Sequence, residues 1–280
     1  MTHMQRRVAV LGVLIALVGA GSWFPAHAGP QAGADKWALL IGVDRFQGNT
    51  RPNTGSVGDT EDLRDALVRN GWRSDHIRVL TDAAATLAGM RDGLAWLAAN
   101  STDRSYSVFH YSGHVKQQGN TVYLWPHDNR WMPDTELAGA LNKVRGWAWI
   151  DIAGCEAGAF DKGLATSRHL VTGSSQGNEK SYEMPPSYRN SVFVFFLIDE
   201  GMASDTADSN NDGRVSLQEA FRYAADHAPA MTDGQKHGPQ HPYIAGGDGT
   251  EWFLDPPPPP PPPAAPAATS PQTRCPVLCK

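Results

Sequence analysis

Apolar residues in this chain come in two rhythms that alternate along its middle. Residues 37–43 form a continuous apolar run that ends at Asp44, the pattern of a strand buried on both faces. Residues 59–70 then place Leu63, Ala66 and Leu67 on one helical face, and Asn70-Gly71 supplies a C-terminal stop. Residues 76–81 read as a second strand. Residues 86–99 follow as a helix carrying Leu87, Met90, Leu94 and Leu97 at helical spacing. The pattern predicts further strands at 105–112, 147–153 and 169–173, and helices at 135–144, 191–202 and 217–227. Alternation of this kind implies an α/β fold, with a mostly parallel sheet covered by helices on both faces.

The ends of the chain break the pattern. Arg6 and Arg7, the apolar run 8–20 and the small-x-small triplet Ala26-His27-Ala28 read as a signal peptide over 1–28, removed on export to a secreted or periplasmic location. Residues 29–35 read as a short linker, and 36–255 as the folded domain. Eight consecutive prolines begin a tail at 256–280, which is expected to be an extended spacer or tether. The net charge is −5, and losing two arginines with the signal makes the balance more acidic still. An acidic chain without a basic run argues against a nucleic-acid partner, and no second apolar stretch is long enough to span a membrane.

Three cysteines give the first hint of chemistry. Cys275 and Cys279 lie close together in the tail and can pair, which leaves Cys155 as an odd thiol in an oxidising setting. Ligand sites of open α/β sheets gather beyond the carboxyl ends of the strands. His114 falls just past the strand at 105–112 and Cys155 just past the strand at 147–153, so one sheet edge should present both. An imidazole that takes a thiol's proton and returns it to a leaving amine is the requirement of cysteine acyl transfer. Gly154-Cys155-Glu156-Ala157-Gly158 surrounds the thiol with small residues that keep backbone N–H groups open for an oxyanion. Of the other histidines, His110 sits inside a strand as a packed or hydrogen-bonded residue. His127 and His169 stay open as candidates, and His227, His237 and His241 suit surface or loop roles.

Several segments, in order, resemble the caspase/metacaspase peptidases of the caspase–legumain clan. They are Ala38-Leu39-Leu40-Ile41-Gly42-Val43, the stretch 55–67 with Asp59 and Asp62, Phe109-His110-Tyr111-Ser112-Gly113-His114, Tyr123-Leu124-Trp125-Pro126-His127-Asp128 and Gly154-Cys155-Glu156-Ala157-Gly158. The resemblance implies a three-layer α/β/α sandwich on a six-stranded, mostly parallel sheet, hydrolysis of peptide or protein substrates, and a His114/Cys155 pair. It also implies an oxyanion hole from the amides of Val115 and Cys155, and a substrate-pocket loop from Ser174 through Glu183. Glu183 would favour Arg or Lys before the scissile bond. Two departures stand out. Val115 replaces the family's glycine, and Ala153 stands where metacaspases place an aspartate, so that Asp151, two residues back, is the acidic candidate on that strand. They keep a second reading open: a weak or inactive relative that binds peptides, or acts as a calcium-dependent surface module.

Residues 208–219 fit a twelve-residue EF-hand loop. Asp208, Asn210, Asp212, Arg214 (through its carbonyl), Ser216 and Glu219 stand at the six ligand positions, and Gly213 stands at the turn. This predicts a structural Ca2+ and no organic cofactor.

Overall fold

A computed structural model describes residues 29–204 and 206–256. The signal-peptide reading, nearly all of the proline run, and Cys275 and Cys279 lie outside those residues. Nine strands and five helices follow in order: β1 (Lys36–Gly42), α1 (Ser56–Arg69), β2 (Ile77–Thr81), α2 (Leu87–Asn100), β3 (Tyr106–Ser112), β4 (Val115–Gln118), β5 (Thr121–Leu124), β6 (Met132–Pro133), α3 (Asp134–Leu141), β7 (Trp147–Ala153), β8 (His169–Gly173), α4, α5 (Leu217–Met231) and β9 (Tyr243–Gly246). One turn of α-helix, Val192–Val194, opens α4, and the rest, Phe195–Met202, is wound as a π-helix.

The main sheet runs β2-β1-β3-β7-β8-β9, parallel except for β9. The expected six-stranded sandwich is present. Its sixth strand is the short antiparallel β9, which the apolar pattern does not announce. Strand side chains alternate between faces, and the core divides accordingly. Leu40, Val108 and Trp149 pack against α1, α4 and α5. Leu39, Phe109 and Ile150 pack against α2 and α3. A separate antiparallel sheet, β4-β5-β6, follows β3 directly. Within the expected linker 29–35, Gly29 and Pro30 are buried, whereas Ala32, Gly33 and Asp35 are exposed.

Two polar groups tie the central elements together. Across β3 and β7, His110 stands opposite Asp151 in register, and its Nδ1 lies 2.7 Å from Asp151 Oδ2. From β8, Thr172 Oγ1 donates to Asp151 Oδ1 at 2.6 Å. All three side chains are buried. Asp59, in the first turn of α1, accepts from Ser112 Oγ of β3 (2.7 Å) and from the Ser191 amide before α4 (2.8 Å). Burial pushes its carboxyl up to about 7.

The ladder predicts a large single-site effect. Asp151→Ala strands His110 and Thr172 in the core and should lower stability by about 3–5 kcal/mol in urea unfolding. A loss below about 1 kcal/mol would refute the idea that this ladder holds the strands.

Candidate active site

The carboxyl ends of β3 and β7 sit side by side. Ser112 is in register with Ala153, and the Gly113 amide donates to Ala153 O at 3.1 Å. Two residues beyond that register lie His114 and Cys155, and both line one cleft of about 300 Å³. The ring of His114 is clamped. Phe46 stacks on it with centroids 4.9 Å apart, Trp125 meets it edge-on at 5.9 Å, and Nε2 lies 2.7 Å from the Arg51 carbonyl. A carbonyl only accepts, so Nε2 carries the hydrogen of the neutral ring and Nδ1 keeps the lone pair.

The cysteine turn is held from behind. Ser174 Oγ accepts from the Gly154 amide and donates to Gly154 O, each at 2.9 Å, and Ser175 Oγ also reaches Gly154 O at 3.1 Å. Glu156 takes a left-handed conformation (φ 54°) with its amide on Glu179 O at 2.8 Å, and its carboxylate pairs with Lys180. Cys155 Sγ lies 4.0 Å from Ser181 O. Burial pushes the thiol above its ordinary value. The Lys180 ammonium pulls against that, and Glu156 adds to it.

Val115 occupies its site without backbone strain. It is not among the residues with positive φ, and it opens the extended strand β4, where a β-branched side chain is at home. Its methyl fills space that Gly154 leaves: a Cβ on Gly154 would lie 2.7 Å from Val115 Cγ2. The Trp125 amide donates to His114 O, so the adjacent pair Val115/Leu124 is the non-hydrogen-bonded one, and the Val115 N–H turns away from β5. Among the described residues, the Cys155 N–H has no acceptor either.

Three substrate candidates separate here. Glu183 lines the cleft, but its Oε1 accepts from the Thr54 and Gly55 amides (2.6 and 2.9 Å) and its Oε2 from Thr54 Oγ1 (3.1 Å). Asp151 does not line the cleft; it lies deeper along β7 in the buried ladder. Ser174 also stays out of the cleft, because its hydroxyl is spent on the cysteine turn. The other cleft walls include Arg51, Ser56, Ser112, Lys180, Ser191 and His237. His237 was expected only as a surface or loop residue. Nothing local in the sequence marks it, because a distant loop brings it in. His127 bonds Arg45 O and His169 bonds Leu164 O, and neither lines the cleft.

In the loop 208–219 the oxygens turn inward. Asp208 accepts from the Asp212 and Gly213 amides, Asn210 from Asp212, and Asp212 from Arg214. Glu219 closes a capping box with Ser216 and also accepts from the amides of Ser209 and Asn210. The donor set is all oxygen, the chemistry a calcium ion asks for. Among the described residues no three of His, Cys, Asp or Glu are gathered as a ready metal site.

Residues 35–222 match the sequence model of the caspase domain. Metacaspase-1 of Candida albicans is 34% identical over 88 residues, 29% of this chain and 19% of that protein. Metacaspase-3 of Arabidopsis thaliana is 32% identical over 98 residues, 32% of this chain and 27% of that protein. The chain thus matches under a third of either relative's length. A solved structure from Geobacter sulfurreducens has a TM-score of 0.56 at 15% identity, covering 76% of this chain and 94% of that one, and shares the fold. With the domain match spanning well over half of its length, this chain belongs to the caspase-domain peptidase family.

Proposed function

We propose that the chain is an exported cysteine endopeptidase that works through Cys155 and His114. The observation that carries this is the shared cleft, with the His114 ring fixed through Nε2 so that its Nδ1 lone pair is left to act as base. In this reading Nδ1 takes the thiol proton and the thiolate attacks the scissile carbonyl. The amides of Val115 and Cys155 hold the developing oxyanion. His114 then returns the proton to the leaving amine, and water hydrolyses the thioester.

The raised thiol and its contact with Ser181 O describe a resting nucleophile that is protonated and turned toward a backbone carbonyl. Those two features also favour the alternative of a weak or inactive peptide-binding relative. A peptide-library digest separates the two. The wild type should cleave, Cys155→Ala should not, and His114→Ala should lose about 10²–10⁴-fold in kcat. Equal cleavage by wild type and Cys155→Ala would end the proposal.

The thiol's environment makes a second prediction. In the free enzyme, alkylation of Cys155 should rise with pH along a curve whose midpoint lies above that of an ordinary thiol. Glu156→Gln should move that midpoint down and Lys180→Met should move it up. Shifts of opposite sign would contradict the charge arrangement.

The loop 208–219 is proposed to hold a structural calcium through Asp208, Asn210, Asp212, the Arg214 carbonyl, Ser216 and Glu219. The ion would supply charge neutralisation and stiffness rather than chemistry at the cleft. Calcium at about 100 times its Kd should raise Tm by about 5–10 °C over the chelated protein. Glu219→Gln, which can still serve a capping box, should abolish the rise. No calcium-dependent rise in the wild type would remove the site.

A further inference from the structure

Gly29, the residue after the Ala26-His27-Ala28 triplet, is buried rather than loose. Its amide donates to Thr250 Oγ1 at 3.1 Å, and Thr250 Oγ1 in turn donates to Asp248 Oδ1 at 2.6 Å. The slot admits only glycine: a Cβ there would lie 2.9 Å from Thr250 Oγ1 and from two atoms of the Trp252 ring. Asp248 Oδ1 also takes the Thr250 amide and the Trp252 indole, whereas Oδ2 is closed off from solvent and has no partner among the described residues. An unsatisfied carboxylate oxygen in such a place is costly, and this carboxylate is joined through Thr250 Oγ1 to the residue that export would turn into a chain terminus.

We propose that this slot is a binding site for the protein's own terminal amine. Cleavage by an exporting cell's signal peptidase adds water across the Ala28–Gly29 amide. Ala28 leaves with the new carboxylate, and Gly29 keeps the nitrogen as an ammonium. The single N–H donor becomes three. One stays on Thr250 Oγ1 and another satisfies Asp248 Oδ2, as an ion pair that the uncleaved chain cannot make. The other charged groups near the slot are Glu251 on the same segment, which accepts from Ser216 Oγ, and Arg222 of α5, which borders the same groove as Thr250 and Glu251. Along the N-terminal segment lie Asp35 and Lys36, and Lys36 is paired with Asp255.

The ion pair raises the folded amine above its unfolded value of about 8. Its stabilisation is therefore complete below about pH 8 and lost as pH rises through the folded value. The test compares chains beginning at Gly29 with chains that retain Ala28, each with Asp248 and with Asp248→Asn, by thermal unfolding from pH 6 to 10. At pH 7 the Gly29 chain should melt about 2–4 °C higher. That gap should close toward pH 10 and be absent in Asp248→Asn. Should Asp248→Asn fail to fold, acetylation of the Gly29 amine in the native chain supplies the reading, and it should be slower than in the unfolded chain. Mass spectrometry of the exported protein should find Gly29 first. A different terminus, a gap unchanged by Asp248→Asn, or a freely acetylated amine would overturn the proposal.

Discussion

The site depends on a polar ladder buried two turns of the pleat beneath it. His110, Asp151 and Thr172 join β3, β7 and β8 side chain to side chain in the buried core, with the Trp149 indole donating to Thr172 Oγ1. A one-residue slip in either strand would move one partner to the opposite face and leave the other buried without its bond. The register is therefore fixed well below the sheet edge, and four residues further on it delivers His114 and Cys155 together. The backbone bond from Gly113 to Ala153 extends that fixation to the last residues before the strands diverge.

Above the ladder, the two halves of the site are held by different means. The imidazole is clamped by an aromatic face, an aromatic edge and a carbonyl, so little of its orientation is left for substrate to arrange. The thiol is held through its backbone: Ser174 and Ser175 secure Gly154, and Glu156 accepts a left-handed conformation secured by Glu179 O and Lys180. The side chain itself rests against Ser181 O. The imidazole is thus fixed through its ring, whereas the thiol is fixed through the backbone on either side of it. Val115 belongs to this arrangement. Its methyl and the bare Cα of Gly154 fit each other, and a Cβ at 154 would also meet the Gly113 carbonyl at 2.8 Å.

Much of this was legible in the sequence because buried parallel strands write themselves as apolar runs. The strand at 37–43 carries that mark unbroken, those at 105–112 and 147–153 carry it interrupted by His110 and Asp151, among others, and the site follows from where they stop. The missed elements lack it. The antiparallel β9 is short and only half-buried, and the β4-β5-β6 sheet is built from two to four residues per strand. Of the substrate candidates, Glu183 lines the cleft, whereas Asp151 and Ser174 do not. Asp151 is on the same face as Ala153 but two residues, about 6–7 Å, further down the strand, where it meets His110 instead of the cleft. Ser174 sits in the right loop with its hydroxyl turned to the backbone. His237 and Lys180 reach the cleft from loops with no periodicity to read.

The elements that close the fold lie at the opposite edge of the sheet from the cleft. Lys36, at the start of β1, pairs with Asp255. Tyr106, at the start of β3, meets the Trp252 ring at 6.1 Å, and the indole of Trp72 donates to Leu254 O. The same C-terminal segment receives the Leu217 amide on Trp252 O and Ser216 Oγ on Glu251, which ties it to the loop 208–219. Gly29 reaches it through Thr250. The N-terminal segment, the acidic loop and the chain leading into the proline run thus share one set of contacts at the amino ends of the strands. Stabilisation gathered there leaves the carboxyl edge built of loops, the segments free to place His114 and Cys155 in one cleft.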